Sequence, residues 1–113
     1  MILEEVKKLK ASKEYSLIKK DLVTQLELKK ADTPAFMSQV NDYMAMWVTK
    51  ELLIKDIETR GTYVEYNNGG NQMGTRTNGS VMDQIKVNLQ MIKTLDSLDI
   101  NTRNIRSDTD DEL

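Results

Sequence analysis

The residues best suited to chemistry lie in one polar window, from Gly61 to Gly79, which holds all five glycines of the chain. A glycine-rich loop that precedes a helix can bind phosphate, because its backbone N–H groups point at the anion. Such a loop needs the pattern Gly-x-x-x-x-Gly-Lys-Ser/Thr, or Gly-x-Gly-x-x-Gly after a buried strand. Neither pattern occurs in this window. Asn68-Gly69 is a favoured tight-turn pair, so the window predicts a turn and not a nucleotide site.

Side chains for catalysis or metal binding are scarce. The chain has no cysteine and no histidine, which removes thiolate chemistry, the commonest general base and the commonest metal ligand. One acidic cluster lies near the C-terminus, but it lacks the central glycine and distal glutamate of a calcium loop. Its members are Asp108, Asp110, Asp111 and Glu112. We therefore predict a protein without enzymatic activity, catalytic residues, metal or cofactor.

Basic side chains remain as candidates for binding. Residues 1–30 carry eight lysines against five acidic residues, whereas residues 61–113 carry a net charge of −3. Lysine and arginine can neutralise DNA phosphates without reading the base sequence. The candidate phosphate contacts are Lys7, Lys8, Lys10, Lys19, Lys20 and Arg76. A solvated lysine face on a helix would give the same pattern, and the charges alone leave both interpretations open.

Helical periodicity predicts the elements that carry these lysines. Residues 2–30 place apolar side chains three and four positions apart, and Ser12 could cap a second helix and divide the region in two. Thr33-Pro34 predicts the start of a long central helix, with Gly61 as its C-terminal stop. That helix is apolar on more than one face, so we expect it to be contacted from several sides.

The rest of the chain predicts a hairpin and a last helix. Residues 62–66 have strand character, and residues 72–77 could return as a short second strand. A short β-hairpin or an ordered loop is therefore expected between the helices. Asn78 or Ser80 then caps an amphipathic helix over residues 80–98. Its predicted apolar stripe is Val81, Ile85, Leu89, Ile92 and Leu95.

Two aromatic residues of the central helix allow two interpretations. Trp47 with Tyr43 could stack on nucleic-acid bases. At helical spacing among methionine and valine, we predict that they belong to the core, because large aromatics usually bury.

The fold class predicted by these patterns is mainly α. It has a long central helix with N-terminal helices, a short β-hairpin or ordered loop, and a C-terminal amphipathic helix. The length of 113 residues suits a single domain, which we place at residues 1–101 as a helical oligomerisation domain. Residues 102–113 are predicted to be a flexible acidic tail. No apolar run is long enough to span a membrane and no apolar signal core is present, which predicts a cytosolic protein.

The stretch from Ile57 to Ile100 resembles the small terminase subunits of tailed phages and prophages. Those subunits have a long helix that ends in a Gly-aromatic segment, here Arg60-Gly61-Thr62-Tyr63. A polar Asn/Gly-rich loop follows, here Asn67 to Gly74, and leads to an Asn-Pro-Ala-like cap, here Asn78-Gly79-Ser80. The final helix closes on a Leu-Gly-Leu-like end, here Leu98-Asp99-Ile100. Pro and Ala are common where this chain has Gly79 and Ser80, and Gly is common at Asp99.

The resemblance implies a non-enzymatic, ring-forming subunit of viral genome packaging. Such a subunit recognises viral double-stranded DNA, assembles with itself, and regulates the large terminase subunit in the cytoplasm of the bacterial host. In this interpretation Trp47, Leu53 and Ile57 serve core and subunit contacts, and the six basic residues above contact DNA. The alternative is a helical protein-interaction module or adaptor with no DNA role, in which the lysines are solvated surface.

Overall fold

A computed structural model describes residues 2–67, 69–70 and 72–100 of the chain. Within them the chain forms four helices and one hairpin, as the periodicity predicts. The elements are α1 (Ile2–Lys10), α2 (Lys13–Leu28), α3 (Pro34–Arg60), β1 (Tyr63–Asn67), β2 (Met73–Thr77) and α4 (Gly79–Ser97). The mainly helical fold class, the long central helix and the C-terminal helix are thus confirmed, and the segment between them is a two-stranded hairpin. The predicted tail, residues 102–113, lies outside the described residues.

Local capping chemistry explains where the first helices begin and end. Ser12 separates α1 from α2, because its hydroxyl accepts from the Tyr15 N–H at 3.1 Å and donates to the Leu9 carbonyl at 2.6 Å. Thr33 occupies the N-cap position of α3, but its side chain makes no capping hydrogen bond. Pro34 starts that helix, where its missing N–H costs nothing.

The long helix α3 lies between the other helices. On one side α1 reaches it through the Glu5–Lys55 ion pair at 3.1 Å. The helix α4 runs antiparallel to α3, since Ser80 at the start of α4 bonds to Asp56, and Ser97 at its end bonds to Gln39 at 3.0 Å. The central helix is therefore contacted from two sides, in agreement with its wide apolar surface.

The core forms along both sides of α3. Its buried apolar residues are Leu22, Leu26, Val40, Met44, Trp47, Val48, Met91, Leu98 and Ile100. Trp47 is 4% exposed and packs edge-to-face against Tyr15, with ring centres 5.8 Å apart. Tyr43 is half-buried, and this burial raises the pKa of its hydroxyl. The prediction that Trp47 belongs to the core and not to a stacking surface is confirmed.

The hairpin is antiparallel, with Tyr63 opposite Thr77 and Asn67 opposite Met73. The connection between the strands covers residues 68–72, one position further along than residues 67–71, which the predicted strand bounds leave between them. Gly69 has φ of 104° and donates its N–H to the Asn67 side chain at 2.8 Å. Asn67 thus forms a local side-chain turn at the start of the connection.

The C-terminal end of α4 closes with a left-handed residue. Asp99 has φ of 56°, and the Ile100 N–H bonds to the Leu95 carbonyl at 2.9 Å. This hydrogen bond, together with that from Asp99 N–H to the Asp96 carbonyl at 3.0 Å, forms a Schellman motif. It turns the chain so that Leu98 and Ile100 both enter the core. No helix among the described residues is long and apolar enough to cross a membrane.

Candidate functional site

The predicted lysines lie on the outer surfaces of α1 and α2. Lys7, Lys8, Lys10 and Lys20 are exposed, and Lys19 is half-buried. Helical spacing puts Lys7 and Lys10 on one face of α1 and Lys8 on the other flank. The structure therefore brings the five lysines to one side of α3, but not to a single face.

Two of the six predicted DNA contacts, Lys8 and Arg76, lie in surroundings that differ from those of the other lysines. Lys8 borders a groove between α1 and α3, together with Glu51 and Glu58. Arg76 lies on β2, where its guanidinium stands over the Tyr66 ring, 5.9 Å from the ring centre. This cation–π contact holds Arg76 on the hairpin, apart from the lysine-bearing helices.

A polar junction joins the end of α3 to the start of α4, and Asn78 is its centre. Asn78 is fully buried, with 0% of its surface exposed. Its side-chain oxygen accepts from the Ser80 N–H at 3.0 Å, which caps α4, and from Arg60 at 3.1 Å. Its amide nitrogen donates to the Gly61 carbonyl at 3.0 Å and to Asp56 at 3.1 Å. Every hydrogen-bonding group of this side chain is thus engaged.

Asp56 is the acidic member of the junction. It accepts two hydrogen bonds from Arg60 at 2.7 Å each and one from the Ser80 hydroxyl at 2.6 Å. Hydrogen bonding to Arg60, and then to Ser80 and Asn78, holds the pKa of the Asp56 carboxyl far below its ordinary value of 3.8. The same pairing raises the pKa of Arg60. The carboxylate stays ionised and accepts only, so the junction is built for holding helices together and not for proton transfer.

Sequence reasoning assigned Asn78 a capping role, which is confirmed, but it missed the junction. Asp56 and Arg60 are four residues apart, a spacing that could indicate an ordinary surface ion pair. Nothing in the sequence signals that both would meet a residue 18 or more positions later.

The outer face of α4 carries an apolar stripe that the other described residues leave uncovered. The exposed fractions are 52% for Met82, 57% for Ile85, 50% for Leu89 and 48% for Ile92. The helix instead packs on α3 through its opposite face, where Met91 and Leu98 are buried. The predicted stripe of Ile85, Leu89 and Ile92 thus does not form the core contact. Successive positions three and four apart make it a continuous seam, which we call the α4 stripe.

The groove between α1 and α3 is the second open apolar feature, and it has a volume of about 400 Å³. Its apolar lining comes from Leu9, Leu52 and Ile54. Its charged lining comes from Glu5, Lys8, Glu51, Lys55 and Glu58. No group of three or more acidic side chains among the described residues is arranged to hold a metal ion. The acidic cluster at residues 108–112 lies outside those residues.

Comparison of the chain with protein-family models, with curated proteins and with solved structures finds no match.

Proposed function

We propose that this protein is a small terminase subunit, a non-enzymatic, self-assembling, DNA-recognising component of viral genome packaging. One observation carries the proposal: exposed lysines lie on α1 and α2, whereas an exposed apolar stripe lies on a different helix, α4. A subunit of this kind needs both surfaces, one for phosphate and one for neighbouring copies.

The positions that carry the family resemblance support the proposal through their geometry. Gly61 ends α3 with φ of 83°, a conformation that glycine adopts freely. Asn78 caps α4, and Gly79 stands at its first position, where proline is favoured. Asp99 takes a left-handed φ of 56° at the position where glycine is common in the family. The places where this chain departs from the family pattern thus keep the backbone that the pattern requires.

The DNA surface is narrower in this proposal than the six residues predicted from charge. Lys7, Lys10 and Lys20 are exposed on α1 and α2 and away from the acidic groove. Lys8 borders Glu51 and Glu58, and Lys19 is half-buried, so both are weaker candidates. Viral double-stranded DNA, further copies of the chain and the large terminase subunit are the proposed partners, in the cytoplasm of the bacterial host.

A salt titration of duplex DNA binding tests the DNA role. The slope of log K against log salt reports the number of phosphates neutralised, at about 0.9 per phosphate. Replacing Lys7, Lys10 and Lys20 by alanine should lower the slope by roughly 2 to 3. The control is Lys30→Gln, an exposed lysine in the turn after α2, which should leave the slope unchanged.

Two outcomes of the titration would remove the DNA role. One is wild-type protein that does not bind duplex DNA at low salt. The other is binding whose slope is unaffected by the triple alanine variant. A helical interaction module without a DNA role would then account for the chain.

A further inference from the structure

The α4 stripe needs a partner that is apolar and flanked by acidic groups. Lys86 and Lys93 are exposed beside the stripe. They are seven residues apart, so they lie on the same flank of the helix, two turns from each other. A partner helix would therefore place its acidic side chains seven residues apart along one edge.

The α1–α3 groove has this arrangement. Glu51 and Glu58 line it and are also seven residues apart on α3. Within the described part of the chain neither carboxylate forms an ion pair, whereas Glu5 in the same groove is paired with Lys55. With Lys8 as the remaining cation, the groove has a net negative charge, and Ile54 adds apolar surface beside the two glutamates.

Pairing of the α4 stripe with itself is opposed by charge. In an antiparallel pair of α4 helices, the flank that carries the lysines lies beside the same flank of the other copy. Lys86 of each copy would then lie beside Lys93 of the other, which gives two contacts between like charges. In a parallel pair, equal positions meet, so Asp96, the next position along the seam, would face its own counterpart. Either symmetric arrangement brings like charges together at the edge or end of the seam.

We propose that the α4 stripe of one copy binds in the α1–α3 groove of the next copy. Within the chain, α3 and α4 are antiparallel. If the copies are related by a ring axis parallel to the helices, the α4 of one copy is also antiparallel to the α3 of its neighbour. In an antiparallel pair the same flanks of both helices meet, which puts Lys86 near Glu58 and Lys93 near Glu51. The same register places Leu89 beside Ile54.

This contact uses two different surfaces of the same molecule. Stripe and groove lie on different helices, so each copy can bind one neighbour through its stripe and another through its groove. Such a head-to-tail contact closes into a ring when its rotation permits. The inference rests on the proposed function, since it names the surfaces by which the subunit would assemble.

Charge reversal tests the pairing in the full chain. Native mass spectrometry at a fixed protein concentration should show that Lys86→Glu with Lys93→Glu weakens assembly by on the order of tenfold or more. Glu51→Lys with Glu58→Lys should do the same, and the combination of all four changes should restore assembly. Assembly that resists both reversals, or a quadruple variant no better than the doubles, overturns the pairing.

Cross-linking gives a second test that does not depend on affinity. Because the chain has no cysteine, single introduced thiols report contacts without background. Chains with Leu89→Cys mixed with chains with Ile54→Cys should form disulfide-linked heterodimers. The control is Leu17→Cys, which is on α2 and 57% exposed, and it should not cross-link with Leu89→Cys.

The outcomes separate this inference from the proposed function. Disulfide formation by Leu89→Cys alone would indicate that α4 pairs with itself, and would overturn the inference while self-assembly stands. Wild-type protein that is assembled but gives no Leu89–Ile54 cross-link does the same. A wild-type chain that is monomeric at micromolar concentration would remove the ring and the contact together, and the salt titration would still report on DNA.

Discussion

The polar junction at Asn78 gives the sharpest prediction about stability. Asn78→Ala removes the cap of α4, which costs about 1 kcal/mol. It also removes the amide donor to the Gly61 carbonyl and to Asp56, and an acceptor that loses its donor in a partly buried site costs about 1 to 3 kcal/mol. We expect the free energy of unfolding to fall by about 3 kcal/mol, which corresponds to a melting temperature lower by roughly 10 to 15 °C.

Urea and thermal unfolding measure this change, at one protein concentration because assembly would contribute to stability. The matched control is Asn88→Ala, an exposed asparagine of the same helix, which should change the free energy of unfolding by less than about 0.5 kcal/mol. The reasoning is refuted if Asn78→Ala is as stable as Asn88→Ala.

A double-variant cycle tests whether the cost comes from the hydrogen bond to Asp56. Asn78→Asp keeps the capping oxygen but places a second carboxylate 3.1 Å from that of Asp56, so it should be at least as destabilising as alanine. Adding Asp56→Asn reverses donor and acceptor between the two positions. The pair should therefore be more stable than the sum of the single changes predicts. Simple additivity would show that the two side chains do not interact.

Three further predictions follow from single backbone or charge features. Lys30 has φ of 58°, so Lys30→Gly should raise the free energy of unfolding by up to about 1 kcal/mol in urea unfolding, whereas Glu27→Gly, at an exposed position inside α2, should lower it. A Cβ at Gly74 would lie 3.0 Å from the Tyr66 ring, so Gly74→Val should speed hydrogen exchange of the hairpin amides about fivefold, with α3 unchanged. Because the pKa of Asp56 is lowered in the folded state, its carboxylate stabilises the fold above about pH 4, and this stabilisation is lost as the pH falls further. Below about pH 4 the free energy of unfolding of Asp56→Asn should therefore fall less steeply with pH than that of the wild type.

The hairpin illustrates how far local sequence goes. Alternating β-branched and aromatic residues predicted the first strand, because strand propensity is a property of short segments. The second strand was expected only as a possible return of the chain beside it. The form of the turn depends on a side chain, since Asn67 accepts a hydrogen bond from the Gly69 N–H. A side chain that competes for a backbone donor changes a turn without changing the strands beside it.

The last helix shows the limit of periodicity. Its sequence carries two apolar stripes, one with Ile85 and Leu89 and one with Met91 and Leu98. The periodicity predicts that each stripe favours burial, but it does not predict which of the two packs against the rest of the chain. The junction of Asp56, Arg60 and Asn78 sets the position of α4 on α3, and with it which stripe stays exposed.

The sequence by itself determined the helices, their caps and stops, the hairpin and the absence of histidine and cysteine chemistry. These properties depend on residues within a few positions of one another, where propensity, capping and spacing act. Only the tertiary structure decided that Asn78 joins two helices, that the α4 stripe stays exposed, and that Glu51 and Glu58 line a groove. Those relations join residues far apart in the chain, and packing against α3 is what brings them together or apart.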